Sequence, residues 1–173
     1  MFSDECKKNP CEHEGKCYIK NGTETCNCKG TGYEGENCEK DINECPLKKP
    51  GYFGVLGKCY FIDNMARNFD DSQAHCKQVF PNGGRLFEPR DETTNKEVIK
   101  NRYNVFRWIG ITDRISQGNY RYESDNGQLT VSQWWQGQPN DDNHHCVYFC
   151  GSNGNWCDQD CSASEYSLCE RTY

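Results

Sequence analysis

The stretch Trp134-Trp135-Gln136-Gly137-Gln138-Pro139-Asn140-Asp141-Asp142-Asn143-His144-His145-Cys146-Val147 holds the densest set of signals in the chain. Gly137 and Pro139 punctuate it as a turn-rich loop. Gln138, Asn140, Asp141 and Asp142 load that loop with amide and carboxylate oxygens, the ligand type that suits a hard cation. Neighbouring side chains in an extended segment face opposite ways, so Trp134 is expected as an anchor beneath the loop and Trp135 as its surface neighbour. Downstream, Gly151-Ser152-Asn153-Gly154 reads as a turn between adjacent strands, with Cys150 before it and Trp156-Cys157-Asp158 after it.

Outward from this stretch the cysteines set the organisation. Fourteen in 173 residues, about 8%, approach the composition of a disulfide scaffold. Six fall between Cys6 and Cys38 and eight between Cys45 and Cys169. The first group sits in a segment too short to bury a useful apolar core, so crosslinks must hold its shape. The second spans about 130 residues, enough for a core that bridges reinforce. An even count points to full pairing in an oxidising compartment, hence a secreted or extracellular protein. Cys-x2-Cys pairs, the spacing of zinc ligands, are absent. No signal peptide is visible, and Met1-Phe2-Ser3-Asp4 reads as the start of a mature chain. No apolar run is long enough to span a membrane. The net charge of −6 argues against nucleic acid or anionic lipid as a partner.

The spacing Cys6-x4-Cys11-x5-Cys17-x8-Cys26-x1-Cys28-x9-Cys38 and the ending Gly32-Tyr33-x-Gly35-x2-Cys38 resemble an epidermal-growth-factor-like module over residues 1–40. The resemblance implies the pairs Cys6–Cys17, Cys11–Cys26 and Cys28–Cys38. Six cysteines alone permit about 15 pairings. Asp4-Glu5-Cys6 looks like part of that family's calcium-binding entrance, with Phe2 where a carboxylate is expected. Asn21-Gly22 is a hairpin turn signal, and Asn21-Gly22-Thr23 is the chain's one Asn-x-Ser/Thr acceptor, making Asn21 a glycosylation candidate. Residues 41–44 read as a short linker; Asp41-Ile42-Asn43-Glu44-Cys45 looks like a second such entrance, but no second six-cysteine spacing follows.

From Cys45 the pattern changes to aromatic strands and amphipathic helices. Tyr52-Phe53-Gly54 and Cys59-Tyr60-Phe61-Ile62 predict paired strands that Cys45 and Cys59 could lock. Helices are predicted over 68–80, with Phe69, Ser72, Cys76 and Phe80 near one face, and over 93–103, with Val98 and Ile99 inward. Trp108-Ile109-Gly110-Ile111-Thr112-Asp113, Trp134-x2-Gly137-Gln138-Pro139-Asn140, Cys146-Val147, Trp156-Cys157-Asp158, Cys161 and Cys169-Glu170 then fall in the order seen in C-type lectin-like domains. The resemblance covers residues 45–173, including that family's long-form N-terminal hairpin. The expected class is a small disulfide-rich β module plus an α+β C-type lectin-like double-loop domain, with a long irregular insertion at 120–145. The implied pairs are Cys45–Cys59, Cys76–Cys169 and Cys146–Cys161, leaving Cys150 and Cys157 for an additional bridge.

The same resemblance implies a function. In calcium-dependent members, sugar hydroxyls coordinate the ion and hydrogen-bond to its amide and carboxylate ligands. Carried onto this chain, Gln138, Asn140 and Asp158 form a principal calcium and glycan site with Pro139 in the cis position, and Trp135 is a stacking candidate. Asp113, Gln117 and Asp141 mark an auxiliary metal site, and Asp141 or Asp142 could compensate for missing ligands. His144 and His145 stand where acidic ligands are expected, and Cys157 replaces an Asn. The reading is an extracellular recognition or adhesion glycoprotein that binds a glycan or glycoprotein through an atypical calcium-dependent site. The alternative is a calcium-independent protein-binding, matrix or structural module with an extracellular protein ligand. No Gly-x-Ser-x-Gly turn, phosphate-cradling loop or spaced pair of catalytic acids argues for an enzyme.

Overall fold

The structure, a computed structural model, describes Cys6, 9–29, 33–41, 45–46, 49–101, 106–151 and 153–171. The Asp4-Glu5 signal, and the second calcium-type entrance apart from Asp41 and Cys45, lie outside the described residues. The chain divides into two compact units, 1–44 and 45–173.

In the first unit, β1 (Lys16–Lys20) and β2 (Thr23–Asn27) form an antiparallel hairpin that sets Cys17 opposite Cys26. Asn21 and Gly22 take φ angles of 51° and 77° at its turn, the left-handed pair of a two-residue hairpin loop. β3 (Tyr33–Glu34) and β4 (Lys40–Asp41) form a second short antiparallel pair. The bridges are Cys6–Cys17, Cys11–Cys26 and Cys28–Cys38.

In the second unit, β5 (Tyr52–Val55) and β6 (Lys58–Arg67) form a hairpin, with Cys45 bonded to Cys59. The helix α1 (Phe69–Val79) starts where Asn68 Oδ1 accepts the Asp71 amide at 2.8 Å, with Asp70 and Asp71 at the positive end of its dipole. It buries Phe69, Ser72 and Cys76, and Cys76 is bridged to Cys169. β7 (Gly84–Leu86) leads to α2 (Glu92–Asn101), which begins one residue earlier than predicted; 102–103 lie outside the described residues. Val98 is buried there, and Ile99 packs half-buried on the core.

The remaining strands are β8 (Arg107–Thr112), β9 (Arg121–Tyr122), β10 (Cys146–Phe149), β11 (Trp156–Gln159) and β12 (Glu165–Arg171). The sheet runs β11-β10-β8-β12-β6-β5, with β7 on β12 and β9 on β8. Every pairing is antiparallel except β12 with β8. This is the α+β arrangement the sequence predicts. One core cluster joins Tyr60, Phe87, Ile111, Phe149, Trp156 and Leu168, and a second packs α1 through Phe69 and Cys76 against Trp108 and Cys169. Trp108 and Trp156 are fully buried, as large apolar anchors should be. Between β9 and β10, residues 123–145 run as an irregular loop, held to the sheet by an isolated bridge between Trp134 and Trp156.

Candidate functional site

The loop ahead of β10 meets β11 at Asp158. The Asp158 side chain is wholly buried. Its Oδ1 and Oδ2 accept the backbone amides of Asn140 and Asp141, each at 3.0 Å. The Asp158 amide in turn donates to Gln138 Oε1 at 3.3 Å. The Gln138–Pro139 peptide is cis.

Asp113 follows β8 and is also buried. Its Oδ1 pairs with His145 Nδ1 at 2.8 Å, and its Oδ2 accepts the Gly118 amide at 2.6 Å. A carboxylate has no proton to give, so the imidazole nitrogen donates. The Asp113 amide completes the tie by donating to the His145 carbonyl at 3.2 Å. The His144 ring lies between two carboxylates, with Nδ1 3.8 Å from Asp158 and Nε2 3.8 Å from Asp141. The Tyr120 hydroxyl donates to the His144 carbonyl at 3.0 Å. Burial, reinforced by the charges of Asp113, Asp158 and Asp142, holds the Tyr120 phenol above its ordinary range. Hydrogen bonds from the Asn143 amide and side chain keep the exposed Asp141 carboxyl below the usual carboxylate range.

Asp113, Gln117, Asn140, Asp141 and Asp142 line one cavity of about 170 Å³, with Tyr120 in its wall. Gln138 and Asp158 are joined to each other beside that loop but are not among the lining residues. Trp135 is not among the residues that line the cavity. The residue is 47% exposed, and its ring lies against Gly151, where any Cβ would collide with it. Gly151 belongs to the turn closed by the Cys150–Cys157 bridge, and Cys146–Cys161 ties the base of the same strands. The Trp135 amide donates to the Trp156 carbonyl at 2.9 Å, and its carbonyl accepts the Gln138 amide at 2.9 Å. Trp134 packs edge-on against Tyr120 and Trp156, beneath the loop.

As arranged, these groups do not fit a resident calcium ion. Calcium takes roughly six to eight oxygens around one centre. All four oxygens of the two buried carboxylates, and Gln138 Oε1, already accept N–H groups of the protein. Imidazoles, which suit softer cations, stand against Asp113, Asp141 and Asp158. No cluster of three or more His, Cys, Asp or Glu poised to hold a metal occurs among the described residues. The sequence reading marked His144 and His145 as replacements for acids and missed Tyr120 and the Gly118 amide altogether. The available signal was the residue type, since a histidine near a buried aspartate can complete a hydrogen-bonded pair without a metal.

The family model of the lectin C-type domain matches residues 65–171. Among curated proteins, CD209 antigen-like protein 2 of Macaca mulatta is 33% identical over 122 residues, covering 67% of this chain and 45% of the relative. Collectin-10 of Xenopus tropicalis is 34% identical over 118 residues, covering 65% of this chain and 42% of the relative. The chain thus spans less than half the length of these two relatives. Among solved structures, the cow CD23 carbohydrate-recognition domain, crystallised in the presence of a GlcNAc2Man3 oligosaccharide, superposes with a TM-score of 0.65 at 25% identity, covering 76% of this chain and 98% of that one. A calcium-independent type II antifreeze protein shares the fold at a TM-score of 0.63 and 20% identity, covering 72% of this chain and 93% of that one. With most of its length inside the family model and a fold shared with the solved domains, this chain belongs to the C-type lectin domain family, whose members are not enzymes.

Proposed function

We propose that this chain is an extracellular recognition or adhesion protein whose lectin domain binds a glycan on the surface running from Trp135 to Asp142. The observation that carries this reading is the placement of Trp135. This half-exposed residue has its ring against Gly151 and is joined through the backbone to Gln138. A sugar ring has an apolar C–H face that suits an exposed indole and hydroxyls that suit amides and carboxylates. The exposed Asn140, Asp141 and Asp142 supply the latter in the loop that Gln138 begins. In this reading stacking and direct hydrogen bonds hold the sugar, and no shared cation is needed. The match to carbohydrate-recognition domains supports the glycan class.

Residues 1–40 are read as an epidermal-growth-factor-like module that acts as a spacer or supplies a separate contact. Seven disulfides, and no free cysteine among the described residues, support an oxidising, extracellular setting. No helix among the described residues is long and apolar enough to cross a membrane. Asn21 is exposed at the tip of the β1–β2 hairpin, so a eukaryotic secretory pathway would glycosylate it.

The test is a glycan array probed with wild type and Trp135→Ala, once with a chelator and once with calcium. Glycan binding is expected in both solutions and should weaken about tenfold in Trp135→Ala. Glycan binding that Trp135→Ala leaves unchanged would move the contact elsewhere. Absence of any glycan signal, with retained binding to an extracellular protein, would replace this reading by the protein-binding one.

A further inference from the structure

A loop as long and irregular as 123–145 needs ties, because it lacks the ladders that satisfy and fix regular backbone. In this domain the ties converge on two carboxylates whose side chains are 3% and 0% exposed, Asp113 and Asp158. A carboxylate buried without partners would be strongly unfavourable. Both are satisfied from within. Asp158 grips two successive amides of the loop, Asn140 and Asp141. Asp113 grips the His145 ring at the loop's far end and the Gly118 amide in the turn between β8 and β9. Asp113 and His145 are also joined backbone to backbone, and Tyr120 reaches the His144 carbonyl. The two ends of the functional segment 138–145 are therefore pinned to β11 and to the end of β8 by the chain's own N–H groups.

We infer that this network is a built-in latch that does the work of a divalent cation, so that the recognition loop holds its folded form independently of calcium. His145 is its central positioning residue. Its imidazole supplies a directional donor to a buried anion, where an acidic side chain would bring repulsion unless a cation were added. Asp158 is the second anchor, and its full use of both oxygens on backbone amides makes the loop, rather than an ion, its counterpart. The inference concerns the order of the loop and stands whether the ligand is a glycan or a protein.

Hydrogen–deuterium exchange of the whole chain tests it without any ligand. The readouts are the Asn140 and Asp141 amides, with β12 amides as an internal measure of folding. In wild type the loop should exchange at the same rate in chelator and in millimolar calcium. His145→Ala should speed loop exchange by about tenfold or more, because a hydrogen bond to a charged group is lost from the closed state. Calcium should not restore that protection. His145→Gln, which keeps an N–H donor, should recover most of it. If His145→Ala lowers protection in β12 as well, the wild-type comparison and His145→Gln still decide. Calcium-dependent slowing of the wild-type loop would overturn the latch, as would a loop in His145→Ala that exchanges like wild type while β12 stays protected.

Discussion

The two units use the same crosslink for different ends. Among the residues of 1–44 whose burial is described, only Gly15 and Cys38 are buried. A Cβ at Gly15 would lie 2.5 Å from Cys38 Sγ and 3.1 Å from Cys11 Cβ, so sulfur packs directly on backbone there. The bridges are in effect this unit's core. The unit at 45–173 buries two apolar clusters, and Cys59, Cys76, Cys146 and Cys169 lie within the second of them, among Phe69, Phe80, Leu86 and Trp108. A disulfide acts largely by restricting the unfolded chain. How much the fold depends on it is therefore set by what else the folded state contains.

The strongest challenge to this contrast is to delete one bridge from each unit. Cys28→Ser with Cys38→Ser should unfold the first unit outright, because losses of about 2–5 kcal/mol exceed what so small a core can supply. The dispersed NMR amide signals of 16–27 should collapse towards random-coil positions while those of β6, β8 and β12 stay in place. Signals that remain dispersed would show that the first unit has a core beyond its sulfurs.

Cys150→Ser with Cys157→Ser opens a bridge of sequence separation 7 and should cost about 2.5 kcal/mol. The second unit should remain folded, with a lower urea midpoint. Its local signature should be a change in Trp135 environment, since Gly151, on which that ring rests, lies in the released turn. Global unfolding of 45–173 would mean that its apolar clusters do less than their burial suggests.

Why the architecture was legible in advance, and the site only partly so, follows from the range of the interactions involved. Helix α1 announces itself through Asn68, Asp70 and Asp71 at one end and Pro81 to Gly84 at the other, all local chemistry. Trp108 opens a short apolar run on β8 and Trp156 opens β11, and both are fully buried. The loop has no such period. Its acids and amides could be named from residue type, but their partners could not. His145 meets an aspartate 32 positions away, and Asp158 meets amides 17 and 18 positions away. Such pairs exist only once β8, β10 and β11 are aligned, so the sequence shows donors and acceptors without showing whether they face a ligand or each other.

The smallest expected effect sharpens the contrast from the side of charge. Among the residues of the first unit whose burial is described, no ionisable side chain is buried, whereas the second unit encloses Glu170. Glu170 Oε1 accepts from Arg85 Nε at 2.7 Å and from the Glu88 amide at 3.2 Å. Burial raises its carboxyl above the ordinary glutamate range, against the opposing pull of Arg85. A raised value means that the folded state binds the proton more tightly than the unfolded chain. The stabilisation linked to this group is therefore complete below the ordinary glutamate value and is lost as pH rises through the folded value. Glu170→Gln keeps an acceptor for both donors but cannot ionise, so stability in that window should fall less steeply with pH than in wild type. Urea midpoints of the second unit, measured from acid to neutral pH, read this slope directly. The first unit, which the substitution does not touch, should give the same pH profile in both proteins, and an unchanged slope in the second would mean that Arg85 fully offsets the cost of burying the charge.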